Sequence, residues 1–147
     1  MMKTVIPSVF PALRLLTLTA TLLLSPAAFI ALGAAEHFSI REYEEFHDVL
    51  HPLEHEALPK GDFKRIRAEA AELSRRGEAI VKLGVPAGVK EEHVAEFGRE
   101  LKRFSDALKK FSSDAARGSD AELKESYSAV HDSFEMLAAL LTPVKKR

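Results

Sequence analysis

The chain contains no cysteine, and that absence removes several chemistries at once. A disulfide framework, a thiolate metal site and covalent c-type haem all require it. Any borderline transition metal must then be held by imidazole and carboxylate. A basic stripe interleaved with aromatic residues is also missing, which excludes nucleic acid as the expected partner. Strand-type alternation is absent. So are G-x-S-x-G, H-E-x-x-H and P-loop motifs, and with no activated nucleophile and no substrate-sized loop the chain does not read as an enzyme. Stability rests on packing, helped by whatever ligand is bound.

The N-terminal segment reads as a leader. Lys3 and Arg14 give a positive start, Leu15 to Ile30 form an apolar run, and Gly33-Ala34-Ala35 supplies small residues at a cleavage site. This is the layout of a secretory signal peptide over residues 1–35, removed on export to a bacterial periplasm, with no stable membrane insertion afterwards. The alternative is an uncleaved anchor, because the run approaches spanning length; Pro26 and the small residues after it favour cleavage. Losing Lys3 and Arg14 takes 21 basic residues to 19 against 22 acidic ones, so the net charge moves from −1 to −3. Residues 36–147 remain, about 112 in all, enough for one hydrophobic core. Cleavage one residue earlier, after Ala34, would leave Ala35-Glu36-His37, an amine-amide-imidazole set suited to square-planar copper(II) or nickel(II).

Turn residues divide the remainder into four segments. The breaks fall at Pro59-Lys60-Gly61-Asp62, Gly84-Val85-Pro86-Ala87-Gly88 and Arg117-Gly118-Ser119-Asp120, and each segment has helical periodicity. The apolar stripes run Tyr43, Phe46, Leu50, Leu53, Ala57; then Phe63, Ile66, Ala70, Leu73, Gly77, Ile80; then Val94, Phe97, Leu101, Phe104, Leu108, Phe111; and last Leu123, Tyr127, Val130, Phe134, Leu137, Leu141. Spacings of three and four are those of helices packed at small angles. The expected fold is all-α, an antiparallel up-down-up-down four-helix bundle. Asp62 is the expected cap of the second helix and Asp120 that of the fourth, with Ser119 as the second choice there. Pro52 lies inside the first helix, where it removes a bond to the Asp48 carbonyl; the helix either kinks there or restarts.

What is there in place of cysteine is histidine. His47, His51 and His55 recur every four residues, which returns each to nearly the same helix face with about 40° of drift. Neutral imidazole is the commonest protein ligand for zinc and copper. In a bundle of this connectivity His131 lies about 16 Å from the same end as His47, counting 1.5 Å per residue along each helix. The expected metal ligands are therefore His47, His51 and His131, with His55 or Glu44 completing the shell and Asp48 and Asp132 orienting the rings. Shared coordination requires ring nitrogens within about 3–4 Å of one another, given zinc–nitrogen bonds near 2.0–2.1 Å. His37 and His93 belong to the opposite end. A di-iron carboxylate site needs E-x-x-H on two helices, and only Glu44-Glu45-Phe46-His47 supplies one. Haemerythrin-like sites need histidines on all four helices, and the second has none. Lys145-Lys146-Arg147 reads as a solvated tail or as a favourable positive end for the last helix.

The segment Tyr127-Ser128-Ala129-Val130-His131-Asp132-Ser133-Phe134 resembles the last helix of the cytochrome c′ family. Its two haem-attaching cysteines there correspond to Tyr127 and Val130, and its axial histidine to His131. Leu58-Pro59-Lys60-Gly61-Asp62-Phe63, continuing through Ala70 and Leu73, is similar to that family's first loop and second helix. The resemblance implies a cytochrome c′-like bundle whose covalent haem site has been lost or replaced. His131 would remain from the axial position, and His47 and His51 would lie on the helix that closes the sixth-ligand side. The family commonly dimerises through its first helices, so a homodimer is the assembly the resemblance allows. Two alternatives to a metal ion stand beside it. One is non-covalent haem b, with His131 and His47 or His51 as axial ligands beside Phe46, Phe97, Phe104 and Phe134. The other is a cofactor-free structural or interaction bundle.

Overall fold

A computed structural model describes residues 38–141. The expected leader over residues 1–35, the amine-terminal copper motif ending at His37 and the basic tail Lys145-Lys146-Arg147 lie outside the described residues. Those residues form four α-helices: α1 (Arg41–Pro52), α2 (Phe63–Leu83), α3 (Val94–Arg117) and α4 (Asp120–Ala139). Among them there is no strand, only an isolated bridge between Ala87 and Val89. None of their helices is long and apolar enough to cross a membrane.

Local side-chain bonds fix several of the helix ends. In α1, Glu42 and Glu44 occupy the first turn, where carboxylates meet the positive end of the helix dipole. Glu44 also accepts a bond from the Phe38 N–H at 2.7 Å. Asp62 caps α2 by accepting from the Arg65 N–H at 3.0 Å. Ser119 and Glu122 cap α4 reciprocally, each side chain taking the other's backbone N–H, so Ser119 rather than Asp120 is the cap. Arg67 of α2 reaches the end of α3, donating to the carbonyls of Asp114, Ala115 and Gly118 and to the Asp120 carboxylate at 2.8–2.9 Å.

Pro52 lies inside the helix, which does not restart there. Its φ of −68° suits a helix, and the chain stays helical past it by widening. Leu53–Ala57 form a π turn, in which the Leu58 N–H reaches back to the Leu53 carbonyl. Leu58–Lys60 then tighten into a 3₁₀ turn. Pro52 and Pro59 each withdraw one N–H from the ladder, and the wide turn lies between them. Gly61, at φ +65°, ends the run: its N–H bonds the Leu58 carbonyl at 3.0 Å and the Asp62 N–H bonds that of Ala57 at 2.9 Å. This six-to-one, five-to-two pair is a Schellman cap, which a left-handed glycine permits.

Helices adjacent in sequence pack on one another, α1 on α2, α2 on α3 and α3 on α4. The fourth returns to the first through side chains. Tyr43, early in α1, meets Phe134, late in α4, with ring centroids 5.9 Å apart. Leu50, late in α1, meets Tyr127, early in α4, whose hydroxyl donates to the Leu50 carbonyl at 3.1 Å. The stripes expected from periodicity form the core, with Tyr43, Phe46, Ile66, Leu73, Phe97, Phe104, Phe111 and Phe134 fully enclosed. Phe63, Leu101 and Leu141 are half-buried, and Val94 at 42 % is exposed, since a 3₁₀ turn at Glu91–His93 precedes it. Gly77 leaves room for Leu108: a Cβ there would lie 2.5 Å from Leu108 Cδ1, so the leucine would have to shift. Ser126 and Ser133 are buried without apolar character because each hydroxyl bonds the carbonyls three and four residues back in its own helix.

Candidate metal centre

The four-residue spacing on α1 becomes a line of rings. His47 and His51 have centroids 5.3 Å apart, and His51 and His55 4.4 Å apart. The second step is shorter for a backbone reason. A four-residue step in an α-helix overshoots a full turn by about 40°, and adding a residue to a turn takes rotation off each step. The π turn that starts at Leu53 therefore swings His55 back toward His51. The wide turn bears on the His51–His55 step alone, since His47 and His51 both lie within α1.

The three rings occupy different surroundings. His51 and His55 are exposed. His47 is half-buried, with its ring edge-on to Phe38 at 5.4 Å and stacked on Phe134 at 6.4 Å. Burial lowers its pKa below the ordinary 6.5, and charge on His51 lowers it further, against the opposing pull of Glu44, Asp48 and Glu135. It is held neutral, the form that binds a metal ion. The unfolded chain takes up the proton first as pH falls, so His47 contributes stability above its unfolded pKa and loses it on acidification. The urea midpoint of metal-free protein is therefore expected to fall more between pH 7.5 and pH 5 in the wild type than in His47→Gln. Equal falls would show that the ring's burial carries no such linkage.

His131 is near in level and separate in contact. Phe134, one turn further along α4, lies against His47. The His131 ring, however, stands 3.4 Å from the carboxylate of Asp132 through Nδ1, and among the described residues it makes no ring contact with His47 or His51. No group of three or more histidine, aspartate or glutamate side chains among the described residues is gathered around one point for an ion. Glu44 is engaged by the Phe38 N–H. His93 lies at the start of α3 beside Glu92 and Glu96, at 3.6 and 3.5 Å. A groove of about 420 Å³ between α2 and α3, lined by Glu78, Val81, Lys82, Ser105, Leu108 and Lys109 among others, contains no histidine.

The spacing of histidines does not reveal the aromatic wall behind His47 or the two buried phenols of the core. Tyr43 is fully enclosed and its hydroxyl has no hydrogen-bond partner among the described residues. Tyr127 is equally enclosed, but its hydroxyl bonds Leu50. Burial raises the pKa of both phenols, and Glu54 adds to the rise at Tyr127. The pair makes a contrast: Tyr127→Phe is expected to cost about 1 kcal/mol, and Tyr43→Phe to be neutral or stabilising. Parallel urea titrations check it, and a larger loss at Tyr43 would show that its hydroxyl is partnered. Comparison with protein-family models, characterised proteins and solved structures finds no match for this chain.

Proposed function

We propose that the chain is an exported, periplasmic protein that binds a transition metal ion, zinc or copper, through the histidine line of α1 with His131 of α4. The observation that carries this reading is the line itself: three imidazoles on one helical face at centroid spacings of 5.3 and 4.4 Å. His51 is the shared member, next to both of the others. His47 supplies a neutral ring at the inner end, and His131 lies at the level from which a change of rotamer could bring it toward that end. The scaffold is read as an antiparallel up-down-up-down bundle of cytochrome c′ type. The pairings of Tyr43 with Phe134 and of Leu50 with Tyr127 support opposite directions for α1 and α4. The role is binding rather than catalysis.

The packing favours an ion over non-covalent haem. Phe46 lies 4.8 Å from Phe134 and 5.3 Å from Phe104, centroid to centroid. A macrocycle placed beside these rings would have to part them.

Thermal melts with zinc and with a chelator test the reading. At a hundredfold excess over Kd, zinc is expected to stabilise the protein by about 2.7 kcal/mol. His51→Ala should lose most of that gain, His131→Ala a measurable part, and His93→Ala almost none. A gain of the same size in wild type and His51→Ala would overturn the assignment to α1. Equal gains in wild type and His131→Ala would remove α4 from the site.

A further inference from the structure

The outer end of the histidine line is a half-complete coordination shell. His51 and His55 are both exposed, and their ring centroids stand 4.4 Å apart; two imidazoles on one zinc ion need their ligating nitrogens about 3–4 Å apart, which rotation of two such neighbouring exposed rings can supply. Zinc takes four ligands in a closed site, and this end of the helix offers no third. The Glu56 carboxylate is taken by Arg65 at 2.9 Å. Glu54 Oε2 is buried in the protein interior. No group of three or more ligating side chains forms among the described residues.

We infer that the His51–His55 pair binds zinc together with the same pair of a second copy of this chain, making a four-histidine bridge between two α1 helices. A pair of identical ligands on each protomer suits a twofold axis through the ion, because such an interface is self-complementary and closes at two subunits. The ion also offsets the negative charge that the exposed Asp48 of each copy brings to the bridge. His51 belongs to this bridge or to the inner group with His47, and cannot serve both ions at once. The inference rests on the reading that α1 binds metal.

Sedimentation velocity and calorimetric titration with zinc alone, on the exported protein, test it. The expected result is one zinc per two chains, a doubling of mass as zinc is added, and return to monomer with chelator. His55→Ala should stay monomeric at the same zinc concentration while keeping a zinc-dependent rise in melting temperature through His47 and His51. That combination separates the two claims. Zinc uptake by the wild type without any gain in mass would overturn the bridge and leave metal binding standing. Dimerisation undiminished in His55→Ala would also overturn it, and no zinc uptake at all would overturn both.

Discussion

Replacing Phe134 with alanine is expected to destabilise the protein by about 3–5 kcal/mol, the range for removing a buried aromatic ring. Its ring is the hub of the aromatic cluster. It stands within 4.8–6.4 Å, centroid to centroid, of Phe38, Tyr43, Phe46, Phe104 and His47. Truncation would open a cavity at the junction of α1, α3 and α4, where three elements must move together to close it. The melting temperature should fall by more than about 10 °C, given 4–8 °C per kcal/mol for a domain near this size. Histidine titration followed by NMR supplies a second readout: with its wall gone, the His47 pKa should rise toward the ordinary value, because burial is the main cause of its depression. A loss under 1 kcal/mol would show that the cluster is not the structural centre.

Arg67→Met should cost about 2–4 kcal/mol. The last carbonyls of a helix lack a full set of intrahelical partners, and here one guanidinium bonds those of Asp114, which also accepts from the Gly118 N–H, of Ala115 and of the C-cap Gly118, while pairing with the Asp120 carboxylate at the start of the next helix. Bonds to a charged group are worth about 1.5–3 kcal/mol each when buried. The side chain is 29 % exposed, so the four together are discounted for solvent. A positive group at this end also meets the helix dipole favourably. Arg67→Lys should recover little, since one ammonium cannot span a planar fork of four acceptors. Urea unfolding and amide exchange over the last turn of α3 are the measurements. Full rescue by lysine would reduce the contribution to charge alone.

The stripes of α1 to α4 and the cap at Asp62 could be read from residue type and spacing, because both follow from local geometry; at α4 spacing alone puts Asp120 ahead of Ser119, which the reciprocal bonds with Glu122 make the cap. The grouping of His47, His51 and His55 was legible for the same reason. What happens at Pro52 was not: a missing N–H marks where the ladder is broken and does not say how the chain absorbs it. Widening over Leu53–Ala57 depends on a second proline at 59 and on Leu53 and Ala57 keeping their places in the core. His131 shows the limit of arithmetic along an axis. Rise per residue gives its level, whereas the direction of its ring depends on the rotation of α4 about its own axis and on Asp132 next to it. Arg67 left no trace in the sequence because most of its acceptors are backbone carbonyls, which every residue has.

The hydrogen bond from Tyr127 to the Leu50 carbonyl joins residues 77 positions apart, and this bears on the order of assembly. Contacts between sequence neighbours close short loops, while bringing distant residues together costs more chain entropy. Helices α3 and α4 meet across a two-residue connection, so that hairpin can form early, and the latch between α1 and α4 closes late. The first helix is also the shortest of the four and has two prolines in or just beyond it. In native-state hydrogen exchange it is the segment expected to open without global unfolding. The histidines thus lie on the segment expected to dock last, and an ion held jointly by them and His131 of α4 would act as a brake on undocking, slowing the departure of the first helix without altering the order in which the rest is built.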